Sequence, residues 1–243
     1  MLNPKHRFLV LMCLLIGAAI SSIASSEEAE NSLKGGAELG YVATDGNSNT
    51  KTINAKLDIT KSWNAWSDNV KLDAINSKQD SERSAEKYTA FNKLNYNFND
   101  HDYAFWGMDY QKDRFSGFEY QAGTSFGYGR KLLHTDKHYW DLEAGPGYRV
   151  SEVESGDKQE EAVIKLATHY DWTISETAKF SQLLSHEEGK DNGITLSETG
   201  LTTRIVGKLA MKFSYKVKYQ EEVPVGFEHT DTETAMTLVY LFE

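Results

Sequence analysis

Three side chains have the types of a hydrolytic triad: His169, Asp171 and Ser181. On an extended segment residues two apart share a face, so His169 and Asp171 project together, and Ser181 follows on the next run with matching parity. A hydrolase needs its nucleophile within hydrogen-bond reach of a base, and a third group orienting that base. Parity permits the set, but spacing does not set the heights at which the groups stand. Ser, His and Asp are common at polar strand positions, so His169 reads better as a satisfied polar residue, and no residue is assigned a catalytic role. The other histidines, among them His101, His134, His138, His186 and His229, show neither His-x-His nor His-Glu-x-x-His spacing, so nothing points to a transition-metal site or a cofactor. Cys13 is the only cysteine, which excludes disulfides, cysteine metal sites and thiol nucleophiles elsewhere in the chain.

A second set is spread along the chain at alternate positions: Lys56, Asp58, Lys71, Asp73, Lys93, Asp109, Asp141, Glu143, Arg149, His169, Lys208, Lys212, Lys216 and Lys218. If they face a common interior filled with water, they set ion selectivity. If that interior is closed they must pair, because an unpaired buried charge is too costly to persist. Pairing is the preferred reading and pore lining the alternative.

The elements that would position these groups follow from a period of two. From Leu209 the residues Met211, Phe213, Tyr215, Val217 and Tyr219 form one apolar face, and Ala210, Lys212, Ser214, Lys216 and Lys218 form the other. The run exceeds an ordinary strand of about 5 to 6 residues and matches the roughly 9 to 11 needed to cross a bilayer at a tilt. Similar runs begin at Ala37, Ile53, Val70, Tyr88, Ala104, Tyr120, Trp140, Ala162, Ala178 and Ile194, and the last covers Met236 to Phe242. These make about twelve antiparallel strands, with ten to fourteen compatible, and an even count puts both termini on one side of a barrel.

Compact connections near Asn64, Asp100, Asp136, Glu176 and Gly207 alternate with longer, more charged ones near Asn47, Asp80, Gly117, Gly156, Gly189 and Gly226. Short turns on one rim and long loops on the other are barrel topology. Acidic residues crowd two of the long connections: Glu152, Glu154, Asp157, Glu160 and Glu161 in one, and Glu221, Glu222, Glu228 and Asp231 in the other. They could hold Mg²⁺ or Ca²⁺ loosely and bridge to lipopolysaccharide phosphates, although a solvated rim is the simpler reading. Trp63, Trp66, Trp106, Trp140 and Trp172 fall toward the short-turn rim, and Tyr41, Tyr88, Tyr110, Tyr120, Tyr148 and Tyr219 toward the other. Two opposed belts are expected of a barrel standing in lipid.

Lys5 and Arg7 precede an apolar run from Phe8 to Ile23, and Ser22-Ile23-Ala24 has the small-x-small pattern of a cleavage site. The expectation is a signal peptide over 1–24 and a barrel domain over 25–243. Losing Lys5 and Arg7 takes the net charge from −10 to −12, an acidity that argues against nucleic acid. Mean hydropathy is −0.55 and no later apolar run approaches a spanning helix. Membrane barrels escape that criterion, since only every second residue meets lipid.

Three stretches carry a resemblance: Thr44 to Thr50, Asp113 to Tyr120, and Leu142 to Arg149, which reads Leu-Glu-Ala-Gly-Pro-Gly-Tyr-Arg. Together they resemble the salt-induced outer membrane protein family, the YdiY-like proteins. The resemblance spans essentially the whole chain after the leader and implies an outer-membrane β-barrel with a link to salt or osmotic conditions. It implies no catalytic residues. The closing Tyr240 and Phe242 resemble the C-terminal signal that bacterial outer-membrane proteins offer to their assembly machinery, here followed by Glu243.

The expected fold is therefore all-β: a single antiparallel transmembrane barrel in the bacterial outer membrane. Its expected function is a non-catalytic narrow pore or a stress-linked structural element. Expected partners are outer-membrane lipid and lipopolysaccharide, with periplasmic chaperones and the assembly machinery acting during biogenesis. The alternatives are a barrel enzyme acting on lipid or peptide, and a water-soluble periplasmic barrel whose apolar face encloses a ligand. Parity cannot say which face is inside. Gly145-Pro146-Gly147 predicts a bulge, because Pro donates no ladder hydrogen bond, and the bulge would turn Arg149 toward Glu143.

Overall fold

The computed structural model describes residues 32–44, 50–79, 82–114 and 116–242. The leader, the Asn47 turn, Phe115 and Glu243 lie outside the described residues. Twelve strands account for nearly all of the rest: β1 Ser32–Thr44, β2 Thr50–Trp63, β3 Trp66–Gln79, β4 Glu82–Asn97, β5 Asp102–Asp113, β6 Phe118–His134, β7 His138–Val153, β8 Lys158–Thr173, β9 Ala178–Gly189, β10 Gly193–Val206, β11 Leu209–Gln220 and β12 Thr230–Phe242. Each pairs antiparallel with the next, and β12 returns to β1 to close the barrel.

The two-residue turns use the residues their geometry demands. Asn64 adopts a left-handed φ of 51° between Trp63 and Trp66, and Gly207 does the same at 54° between β10 and β11, as hairpin turns matching strand twist require. In the β4–β5 turn, Asn99 Oδ1 accepts from the backbone N–H groups of His101 and Asp102, both at 2.8 Å.

Burial decides which face is inside. On β7, Leu142 is 45% exposed while its neighbours Asp141 and Glu143 are 3% and 9%, and Tyr148 is 44% exposed beside Arg149 at 4%. Met236, Leu238 and Tyr240 are likewise exposed while Thr237 and Val239 are buried. The apolar face is the outer one and the charged face lines the lumen, the reverse of a water-soluble barrel and the arrangement lipid requires.

Two expectations change. The strands run further than the alternation suggested, so Glu152, Glu160, Glu161 and Asp231 lie in strands rather than loops, and Glu161 is buried in the lumen. At Pro146 there is no bulge. The β6–β7 register keeps one alignment from Ser125↔Gly147 to Tyr128↔Ala144, and β7–β8 pairs Gly145, Pro146 and Gly147 in sequence. The missing Pro donor leaves a gap in one ladder, and Gly127 and Gly145 let the two backbones close over it: a Cβ on either would sit within 2.2 Å of a carbonyl oxygen across the ladder.

Glycine also shapes the inner wall. Tyr103 lies flat over Gly129, where a Cβ would meet its ring at 2.2 Å. Gly129→Val is expected to displace Tyr103 and cost about 1–3 kcal/mol, as overpacking does; urea unfolding of the refolded barrel in lipid vesicles, followed by tryptophan fluorescence, measures it.

Candidate functional site: the charged lumen

Inward positions place most of the predicted charges in one lumen. Directly opposed register pairs give the simplest contacts, Lys56 with Asp73 and Asp58 with Lys71, at 3.3 and 3.4 Å. Other contacts reach past an intervening strand. Lys56 also meets Glu233 of β12 at 3.0 Å, and Lys212 of β11 meets Glu38 of β1 at 2.9 Å. Lys216 faces Glu198 on one side and Glu233 on the other. Lys93 of β4 reaches Glu143 of β7 at 2.6 Å, and the same carboxylate accepts from Tyr103 Oη at 2.8 Å. Asp141 accepts from Tyr139 Oη at 2.7 Å. Asp109 packs against Gly123 within the fields of Lys165, Lys218 and Arg149.

Arg149 does face the lumen, but its partners are Glu161 at 2.6 Å and Glu187 at 3.6 Å. Glu143 is six residues away on the same strand, about 20 Å along it and out of reach. Lys208 lines nothing: it is exposed in the β10–β11 turn, its carbonyl accepting from the Leu241 N–H at 2.8 Å. His169 contacts Asp171 at 3.2 Å, yet Asp171 is also bound by Lys179 at 2.8 Å. Ser181 Oγ points toward Gly200, and among the described residues no hydrogen bond joins it to His169, so the three groups do not form a nucleophile–base–orienter chain.

The two ends of the lumen differ. Toward the short turns the space admits water: Asp58 and Lys71 side chains are 47% and 50% exposed although both point inward. Toward the long loops it is crossed by side-chain bridges and loops. Gln121 of β6 donates through Nε2 to Gln220 Oε1 of β11 at 3.1 Å, joining opposite walls, and Lys218 Nζ donates to Gln121 Oε1 at 2.6 Å. Above this bridge the loops interlock. Arg149 donates to the Asn192 carbonyl, Asn192 exchanges hydrogen bonds with the backbone of Glu222 at 2.9 Å each way, and Phe227 packs on Gly117.

Alternation could have found Gln121, Gln220, Lys165 and Glu187 as inward residues. Their meeting across the barrel depends on stagger between strands, which one strand's pattern does not contain. Among the described residues no three acidic, histidine or cysteine groups form a cluster able to hold a metal.

Comparison with known proteins bears on this geometry. The family model described as protein of unknown function, DUF481, matches residues 37–242. The chain belongs to that family. It is 31% identical over 217 residues to the uncharacterized protein YdiY of Escherichia coli K12, covering 87% of this chain and 84% of YdiY. Among solved structures, the NanC porin matches with a TM-score of 0.53 at 11% identity, over 87% of this chain and all of its own. An outer membrane channel from Pseudomonas putida F1 matches with 0.51 at 10% identity, over 90% and 98%. At such identities the likeness is one of fold: outer-membrane barrels.

Removing Arg149 should strand Glu161 in a dry site, while Glu187 keeps Lys165 at 2.8 Å. Arg149→Ala is expected to destabilise the barrel by about 3–5 kcal/mol, whereas Lys71→Ala, in the wet half, should cost about 0–1 kcal/mol. Urea titration of both variants in the same vesicles checks the contrast.

Proposed function

We propose that this protein is a non-catalytic outer-membrane barrel serving as a narrow conduit for small charged solutes, held shut at its loop end in the conformation described. The observation that carries the reading is the asymmetry of the lumen: charged and open to water toward the short turns, crossed toward the long loops by a layer of side-chain bridges and joined loops. Charges of both signs line the path, which suits passage of small ions or zwitterions better than of a bulky anion. A conduit for small ions also fits the link to salt or osmotic conditions that the resemblance to the YdiY-like proteins implies. Export by the 1–24 leader belongs to this reading, as does presentation of lipid-facing Tyr240 and adjacent Phe242 to the assembly machinery.

Planar-bilayer conductance tests it. Wild-type protein is expected to give rare, small openings, and Gln121→Ala with Gln220→Ala, which removes the bridge, should raise open probability without unfolding the barrel. Charge reversal at Lys212 and Lys216 to Glu should shift ion selectivity toward cations. Silence of the bridge variant in a folded barrel would make the lumen a structural plug and overturn the conduit.

A further inference from the structure

The outer wall carries a hollow that the lumen reading leaves unused. On β2 to β5, small outward residues make its floor: Ala55 stands opposite Ala74, and Ala90 stands between Leu72 and Tyr110. Leu57, Leu72 and Tyr110 border it in the Ala90 row and Tyr88 in the Ala55–Ala74 row, one step nearer the loop rim, around a space of about 420 Å³. The surroundings on this face are the apolar belt, so the hollow opens into the acyl region of a bilayer.

Directly above it, at the loop rim, two outward lysines stand opposite each other in the ladder, Lys51 on β2 and Lys78 on β3. Both are exposed, and neither makes an ion pair with a described residue. Directly opposed residues hold their Cβ atoms about 4.5–5.5 Å apart, and like charges there repel. The next position in the row, opposite Lys78 on β4, is Arg83. In a chain of net charge −10, two directly opposed lysines on the lipid side of the loop rim, with Arg83 next in the register, are a local reversal of sign. Lys51 lies four residues from Ala55, about 13 Å along the strand, so the charge sits at headgroup depth when the hollow sits among acyl chains.

We propose that this face binds a phosphorylated glycolipid of the outer leaflet, of the lipid A class, with a phosphate between Lys51 and Lys78 and one acyl chain in the alanine hollow. The phosphate relieves the repulsion between the lysines, and the chain fills a concavity that straight neighbouring lipids would leave poorly packed. The site faces away from the lumen, so it stands or falls independently of the conduit.

The test uses the folded barrel in neutral detergent, titrated with diphosphoryl lipid A and with its dephosphorylated counterpart and read by native mass spectrometry. Heat-modifiable gel mobility verifies the fold of each variant. The diphosphoryl lipid should be retained preferentially. Lys51→Ala and Lys78→Ala should each weaken it about fivefold, and together about 25-fold, at roughly the electrostatic contribution of one lysine near a charged surface. Ala74→Phe, which fills the hollow and keeps both charges, should also weaken it, and Ala55→Leu replaces that variant if it fails to fold. Equal retention of the dephosphorylated lipid, undiminished binding by the double lysine variant, or displacement of the lipid by inorganic phosphate would each overturn the proposal.

Discussion

Everything in this barrel depends on one constraint: within a bilayer, no backbone N–H or C=O can be left without a partner. A sheet meets that demand only by closing on itself, and here closure rests on the shortest ladder among the described residues. β1 and β12 share five register pairs, from Gly35↔Phe242 to Leu39↔Leu238, against thirteen between β1 and β2. Gly35 makes the seam possible, because a Cβ there would strike the Asp58 carbonyl at 2.2 Å and the Phe242 ring at 2.8 Å. The aromatic end of the chain is thus part of the closure.

Closure sets the problem that the lumen solves. Apolar faces go to lipid, so the polar faces of twelve strands are turned onto one another in a confined space. Charges placed there by alternation must find partners or water. Where the space is wet, as around Asp58 and Lys71, pairs are loose. Where it is dry, Arg149 and Lys165 hold Glu161 and Glu187 in close ion pairs. Between 123 and 129 the inner wall of β6 contributes space rather than charge: the glycines at those two positions admit the Asp109 carboxylate and the Tyr103 ring.

The ends differ because their connections differ. Short turns hold only enough residues to reverse the chain, so they cannot cover the opening beneath them. The nine residues from 221 to 229 between β11 and β12 can cross the mouth, and they do so tied to Asn192 and Gly117. Lid and bridge act on the same end, which makes the loop rim the place where passage is controlled in the proposed conduit.

Much of the architecture was legible in the residues alone. A period of two such as Leu209 to Tyr219 is a local property, as are turn residues like Asn64 and Gly207, and together they determined strand number, order and the two rims. Strand ends were less legible, because polar residues such as Glu161 and Glu187 near the rim look like loop whether they point to water or into a lumen. What only the tertiary structure decided was which face is inside and who meets whom. Parity assigns Lys93, Glu143, Gln121 and Gln220 to one face but not to one height. Their contacts arise from the stagger of strands around the closed sheet, a quantity spread over all twelve ladders and present in none of the strands by itself.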